Sequence, residues 1–145
     1  PVKVTDDYIT QFATTAHEQL AGARKVYVEL GNEMWNSAGA YSIDQQYATT
    51  QGKLGWPTAG VSNYNYALSW YAKRVSEMCN IWTQVWGADS SRVVCVVGSQ
   101  AANSSVSSYV IAGSLYGRIS RETLMRSVAL MLLVSGASLI VRAIS

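Results

Sequence analysis

The sequence predicts an α/β architecture with parallel strands, on three observations. Apolar residues recur at helical spacing over 6–20 and 63–86, and each stretch is followed by a short β-branched run, at 26–30 and 93–97. The second run, Val93-Val94-Cys95-Val96-Val97, is apolar at every position. Helix and strand in alternation is the pattern of parallel α/β chains, and a run apolar throughout reads as a strand covered on both faces.

Taken in order, Thr5 supplies a capping hydroxyl, and Asp6 and Asp7 place negative charge at the positive end of a helix dipole. Tyr8, Phe12, Ala16 and Leu20, with Ile9 and Ala13 beside them, form one apolar stripe, so the first helix runs over 6–20 and stops near Gly22. Val26 to Leu30 has strand composition. Residues 37–62 are rich in Ser, Gly, Gln, Thr and Tyr without a sustained period, apart from a short helix over 41–49. A connection this long is usually functional or mobile. Ala67, Tyr71, Val75, Met78, Trp82 and Val85 then predict a long amphipathic helix over 63–86, closed by Gly87.

Composition narrows the function. The 145 residues suit one ordinary domain, and only 14% are charged, with a net charge of +2. No basic cluster supports a nucleic-acid or anionic-membrane partner. Five Trp and nine Tyr stand against one Phe. Trp and Tyr join a flat apolar face to a polar group, which suits sugar rings as well as half-exposed packing. Cys79 and Cys95 lie in apolar stretches and read as buried free thiols, with a bridge between them as the alternative. With His17 the only histidine, a zinc site or a Ser-His-Asp triad lacks parts, so no metal and no cofactor are expected. Pro1 follows no initiator Met or leader pattern, which fits either a processed product or a piece of something longer.

In a parallel α/β chain, function gathers at the carboxyl ends of the strands. Asn32-Glu33 and Gly98-Ser99-Gln100 would share that rim. Glu33 is the candidate general acid, with an amide on one side and the apolar Met34 and Trp35 on the other disfavouring a bare charge. Asn32 can hydrogen-bond a ring hydroxyl, and Trp35 and Trp56 can stack on a sugar. A capping Glu beside a structural Asn is the plainer alternative. Strand periodicity puts Glu29, Gly31 and Glu33 on one face, so Glu29 is expected as a buried acid with a polar partner.

The run Val26-Tyr27-Val28-Glu29-Leu30-Gly31-Asn32-Glu33-Met34-Trp35-Asn36 resembles the fourth-strand motif of a large clan of retaining glycoside hydrolases with (β/α)8 barrels. Within it, a strand followed by NE, an apolar residue and WN resembles bacterial proteins described as cellulose-binding. Tyr71-Ala72-Lys73-Arg74, Ile81-Trp82, Val85-Trp86-Gly87 and the VVCVVGSQ stretch are similar to the helix and fifth strand that follow, so the likeness covers about residues 5–103. It implies a partial barrel-like unit acting on a plant-type β-glycan such as cellulose, with Glu33 as acid/base and Asn32 on the sugar 2-hydroxyl. By the same likeness Trp35, Asn36 and Trp56 become substrate contacts, the partner an oligo- or polysaccharide, and the location extracellular.

The chain departs from that pattern in two ways. Retention needs a second carboxylate about 5 to 5.5 Å from the first, and after Glu77 only Asp89 and Glu122 remain. A full barrel takes about 250 residues, so the chain would be a central piece whose open sheet edges invite self-association. A non-catalytic carbohydrate-binding protein or an inactive barrel fragment is the alternative. Residues 1–117 form the expected barrel-like domain, with net charge −1, and 118–145 an atypical segment of net charge +3. Its uncharged stretch, 128–141, holds 14 residues, short of the roughly 20 that span a bilayer, and reads as a hydrophobic C-terminal helix.

Overall fold

A computed structural model describes residues 1–55, 60–100 and 102–116. The order is α1 (Asp6–Gln19), β1 (Val26–Glu29), α2 (Tyr41–Gly55), α3 (Asn63–Trp86), a 3₁₀ turn (Gly87–Arg92), β2 (Val93–Val96) and α4 (Ser104–Tyr116). Helices dominate, and the two four-residue strands make a single parallel ladder. The expected partial barrel is therefore corrected: among the described residues there is one small sheet packed on helices, not a barrel-like α/β unit. The alternation of elements was legible, but two strands are too few to curve into a wall. The expected C-terminal helix lies outside the described residues.

Helix α3 organises the molecule. Ser62 caps it by accepting from the Asn65 N–H, and Gly87, at φ 49°, ends it. Its buried face carries Ala67, Leu68, Tyr71, Val75, Met78, Cys79, Trp82 and Trp86, against which α1, α2, α4 and the sheet pack. Gly52 of α2 lies so close to α3 that a methyl there would run into the Tyr66 carbonyl. On α4, the Ser114 carbonyl accepts from the buried Ser76 hydroxyl at 2.8 Å. This helix was not read from the sequence, because a Ser-rich segment without charge offers no amphipathic period.

Helix α1 begins at its predicted cap, with Thr5 Oγ1 accepting from the Tyr8 N–H at 3.2 Å. Its buried residues are Ile9 and Ala13, with Ala16 and Leu20 packed against the core, so the expected stripe faces inward except at Tyr8 and Phe12. Tyr8 and Phe12 are about half exposed, although the Phe12 ring meets Trp82 edge-on at 5.6 Å. The loop between α1 and β1 is tied to the 3₁₀ turn by Arg92, which donates to the Leu20 and Arg24 carbonyls.

Val26 pairs with Val93 and Val28 with Cys95, and these four face the helices. Cys95 is bonded to Cys79 of α3, with Cα atoms 5.9 Å apart. The free-thiol expectation is thereby corrected, since an apolar setting suits a bridged pair as well as separate thiols. The opposite face carries Tyr27, Glu29, Val94 and Val96, and Tyr27 is 69% exposed. All of β2 is half-buried, so the strand read as covered on both faces is covered on one. For the same reason Glu29, expected inside a barrel, is exposed.

Candidate functional site

The chain leaves β1 through a tight turn that follows from its residue types. Leu30 is buried, and Gly31 takes φ 69°, where a side chain is disfavoured. A methyl on Gly31 would also meet Met34 Sδ at 3.0 Å. Met34 is buried in the core and pins the turn from below.

Glu33 is the one non-glycine residue with positive φ, 48°, among those described. Such a conformation costs a β-carbon residue free energy, and it persists only where neighbours impose it. Here the Asn36 N–H donates to the Glu33 carbonyl at 2.7 Å, and the Asn36 side-chain amide donates to Glu33 Oε2 at 2.9 Å. Asn36 Oδ1 in turn accepts from the Ala38 N–H at 2.9 Å. The carboxylate is half-buried, and among the described residues no cation pairs with it.

Trp35 is half-buried against the core, and its carbonyl is held from both following helices. Tyr64 of α3 donates its hydroxyl to that carbonyl at 2.8 Å, and Gln45 of α2 donates its amide at 3.4 Å. Burial pushes the Tyr64 hydroxyl above its usual pKa, so it stays a proton donor. Asn32 is exposed at the tip of the turn. Asn32, Glu33, Trp35 and Asn36 are thus brought together by one turn, while Trp56 lies outside the described residues.

A second group lies across the same rim. The Gly98 N–H, two residues beyond β2, donates to Tyr71 Oη at 2.9 Å. A methyl on Gly98 would stand 2.9 Å from Glu29 Oε1 and 3.2 Å from Tyr71 Oη, so the absence of a side chain lets both converge. Burial pushes the Tyr71 hydroxyl up to about 12, the Gly98 hydrogen bond opposes this, and the Glu29 charge adds to it. Ser99 and Ser107 join hydroxyls at 2.9 Å beside this group. Sequence reasoning placed Gly98 at the rim and Glu29 on the strand face below it, and missed Tyr71, whose helical spacing marks it only as core.

Of the other acids, Asp89 is at the amino end of β2, away from the rim, where the His17 hydrogen bond chiefly, aided by the Arg92 charge, holds its carboxyl below the usual range. Asp6 and Glu77 are engaged by Arg74, and Glu77 also by Lys73. Between α2 and α3 lies a separate cleft of about 410 Å³ lined by Gln51, Leu54, Gly55, Trp70 and Lys73. Among the described residues no group of three or more His, Cys, Asp and Glu is placed to hold a metal ion, and no helix is long and apolar enough to cross a membrane. No family model, curated protein or solved structure matches the chain.

Proposed function

We propose that the 31–36 turn is a saccharide-contacting site of a glycoside-hydrolase-related protein, acting on a plant-type β-glycan such as cellulose with Glu33 as its general acid/base. One observation carries this reading. Glu33 is held in a costly backbone conformation at the carboxyl end of a parallel strand, with its carboxylate oriented by Asn36 and open to solvent on one side. Strain of this kind gathers at functional sites. In such a role Glu33 gives its proton to the glycosidic oxygen as the carbon–oxygen bond breaks and a second carboxylate, which the 31–36 turn does not supply, bonds to the anomeric carbon. Glu33 then takes a proton from the water that displaces that carboxylate. Asn32 offers an exposed amide to a hydroxyl, and the half-buried Trp35, two residues beyond Glu33, is the candidate stacking surface. The Cys79–Cys95 bridge suits an oxidising compartment, in keeping with an extracellular polysaccharide as substrate.

A second reading, binding without hydrolysis, is favoured by the surroundings of Glu33. Its own turn carries no other acid, Glu29 turns toward Gly98 and the Tyr71 hydroxyl, Asp89 lies at the far end of β2, and Asp6 and Glu77 are held by Arg74. Reducing-end release and pull-down on cellulose, xylan and mannan, for wild type and Glu33→Gln, separate the two. The catalytic reading expects release by the wild type, a fall of about 10²- to 10⁴-fold in the variant, and retained binding. Binding by both forms with release by neither selects the binding protein. Neither binding nor release by the wild type removes both readings.

A further inference from the structure

The outer edge of β1 is complementary in charge to its own reversed copy. Lys25-Val26-Tyr27-Val28-Glu29 is a cation and an anion placed symmetrically about Val-Tyr-Val. Strand periodicity puts Lys25, Tyr27 and Glu29 on one face. All three are exposed, and Tyr27 is 69% exposed. The inner edge of β1 is taken by β2, and among the described residues no strand or backbone hydrogen bond occupies the outer one. No hydrogen bond or ion pair within the described residues engages Lys25.

We propose that this edge pairs antiparallel with the same edge of a second copy, about a twofold axis through Tyr27, giving a continuous four-stranded sheet. In that register Lys25 stands opposite Glu29 of the second copy, Val26 opposite Val28, and Tyr27 opposite Tyr27. Every symmetry-related pair is then favourable: two opposite-charge pairs, two β-branched pairs and one aromatic pair. A twofold interface demands this self-complementarity, in which residue i meets j and j meets i. The outer edge of β2 has none of it. Centring on Val94 or Cys95 places Arg92 opposite Val96 or Gly98, with no charge to meet it.

The test is sedimentation equilibrium at low ionic strength with charge-reversed variants, their fold checked by far-ultraviolet circular dichroism. The wild type is expected to dimerise, and to do so less at high salt. Lys25→Glu sets two carboxylates against each other at both ends of the paired strands, and Glu29→Lys sets two ammonium groups there, so each alone weakens the dimer by about tenfold or more. An equimolar mixture of the two restores association as a heterodimer, because each copy then faces the opposite charges. Should Glu29→Lys fail to fold, a graded loss from wild type through Lys25→Gln to Lys25→Glu carries the same information. A wild type that stays monomeric at millimolar concentration overturns the proposal. So does dimerisation indifferent to both reversals, or a mixture no more associated than its components.

Discussion

Replacing Trp86 with Ala is expected to bring the chain close to unfolding, with a loss of about 3–5 kcal/mol in urea denaturation. Trp86 is 1% exposed and closes the last turn of α3. Its indole N–H donates to the Ala13 carbonyl of α1 at 3.1 Å, and its ring lies 4.9 Å from His17 and 6.1 Å from Trp82. The Arg92 guanidinium stands over it at 4.9 Å. Truncation therefore opens a cavity where α1, α3 and the 3₁₀ turn meet, and removes the second donor to the Ala13 carbonyl, which keeps its helical partner. Typical domains hold only about 5–15 kcal/mol in all, so a loss of this size is a large share of the total. Trp86→Phe separates the two effects. It keeps most of the volume and gives up the hydrogen bond, and should cost about 1–2 kcal/mol. Equal losses for both variants would mean that packing at this junction contributes little.

Removing the Cys79–Cys95 bridge is expected to cost about 3 kcal/mol, the loop-closure value for a bridge of this span. The two residues are 16 apart in sequence, and they join the middle of α3 to β2 across the covered sheet face. The strand has few other ties to the core, being half-buried and four residues long. Urea melts of the wild type with and without dithiothreitol, and of Cys79→Ala/Cys95→Ala, measure the contribution. Reduced wild type and double variant should coincide within about 1 kcal/mol, the allowance for two small truncations. A wild type indifferent to reductant, whose thiols become reactive on denaturation with no reductant present, would mean that the bridge does not form.

The helices were legible where an amphipathic period and a cap coincide. Asn63 to Trp86 could be read because its apolar stripe is long and Gly87 follows it, while its Ser62 cap went unread. Ser104 to Tyr116 could not, since its small polar residues give neither stripe nor charge pattern. Val93 to Val96 shows the limit of a composition argument. Valine runs report affinity for a pleated surface, but how many layers cover that surface is set by elements elsewhere in the chain. The same reason explains Glu29, whose face follows from periodicity while its surroundings do not.

At the candidate site, adjacency was readable, while the turn and its partners were not. Asn32, Glu33, Trp35 and Asn36 fall together by sequence order, but strand periodicity carried through Gly31 and Glu33 missed the left-handed turn that begins at Gly31. The positive φ of Glu33 and its hydrogen bond from Asn36 have no sequence signature, because Asn36 is as much at home in an ordinary turn. Tyr64 and Gln45 act at a distance in sequence, and nothing in their spacing points to the Trp35 carbonyl.

Titration of ¹⁵N-labelled chain with cellohexaose, followed by amide and indole chemical shifts, tests the saccharide site most directly. The expected result is a saturable set of shifts concentrated on residues 31–36 and the Trp35 indole, weakened in Asn32→Ala. Shifts confined to the cleft lined by Trp70 and Lys73, or an unchanged spectrum at millimolar sugar, would contradict a saccharide site at Glu33.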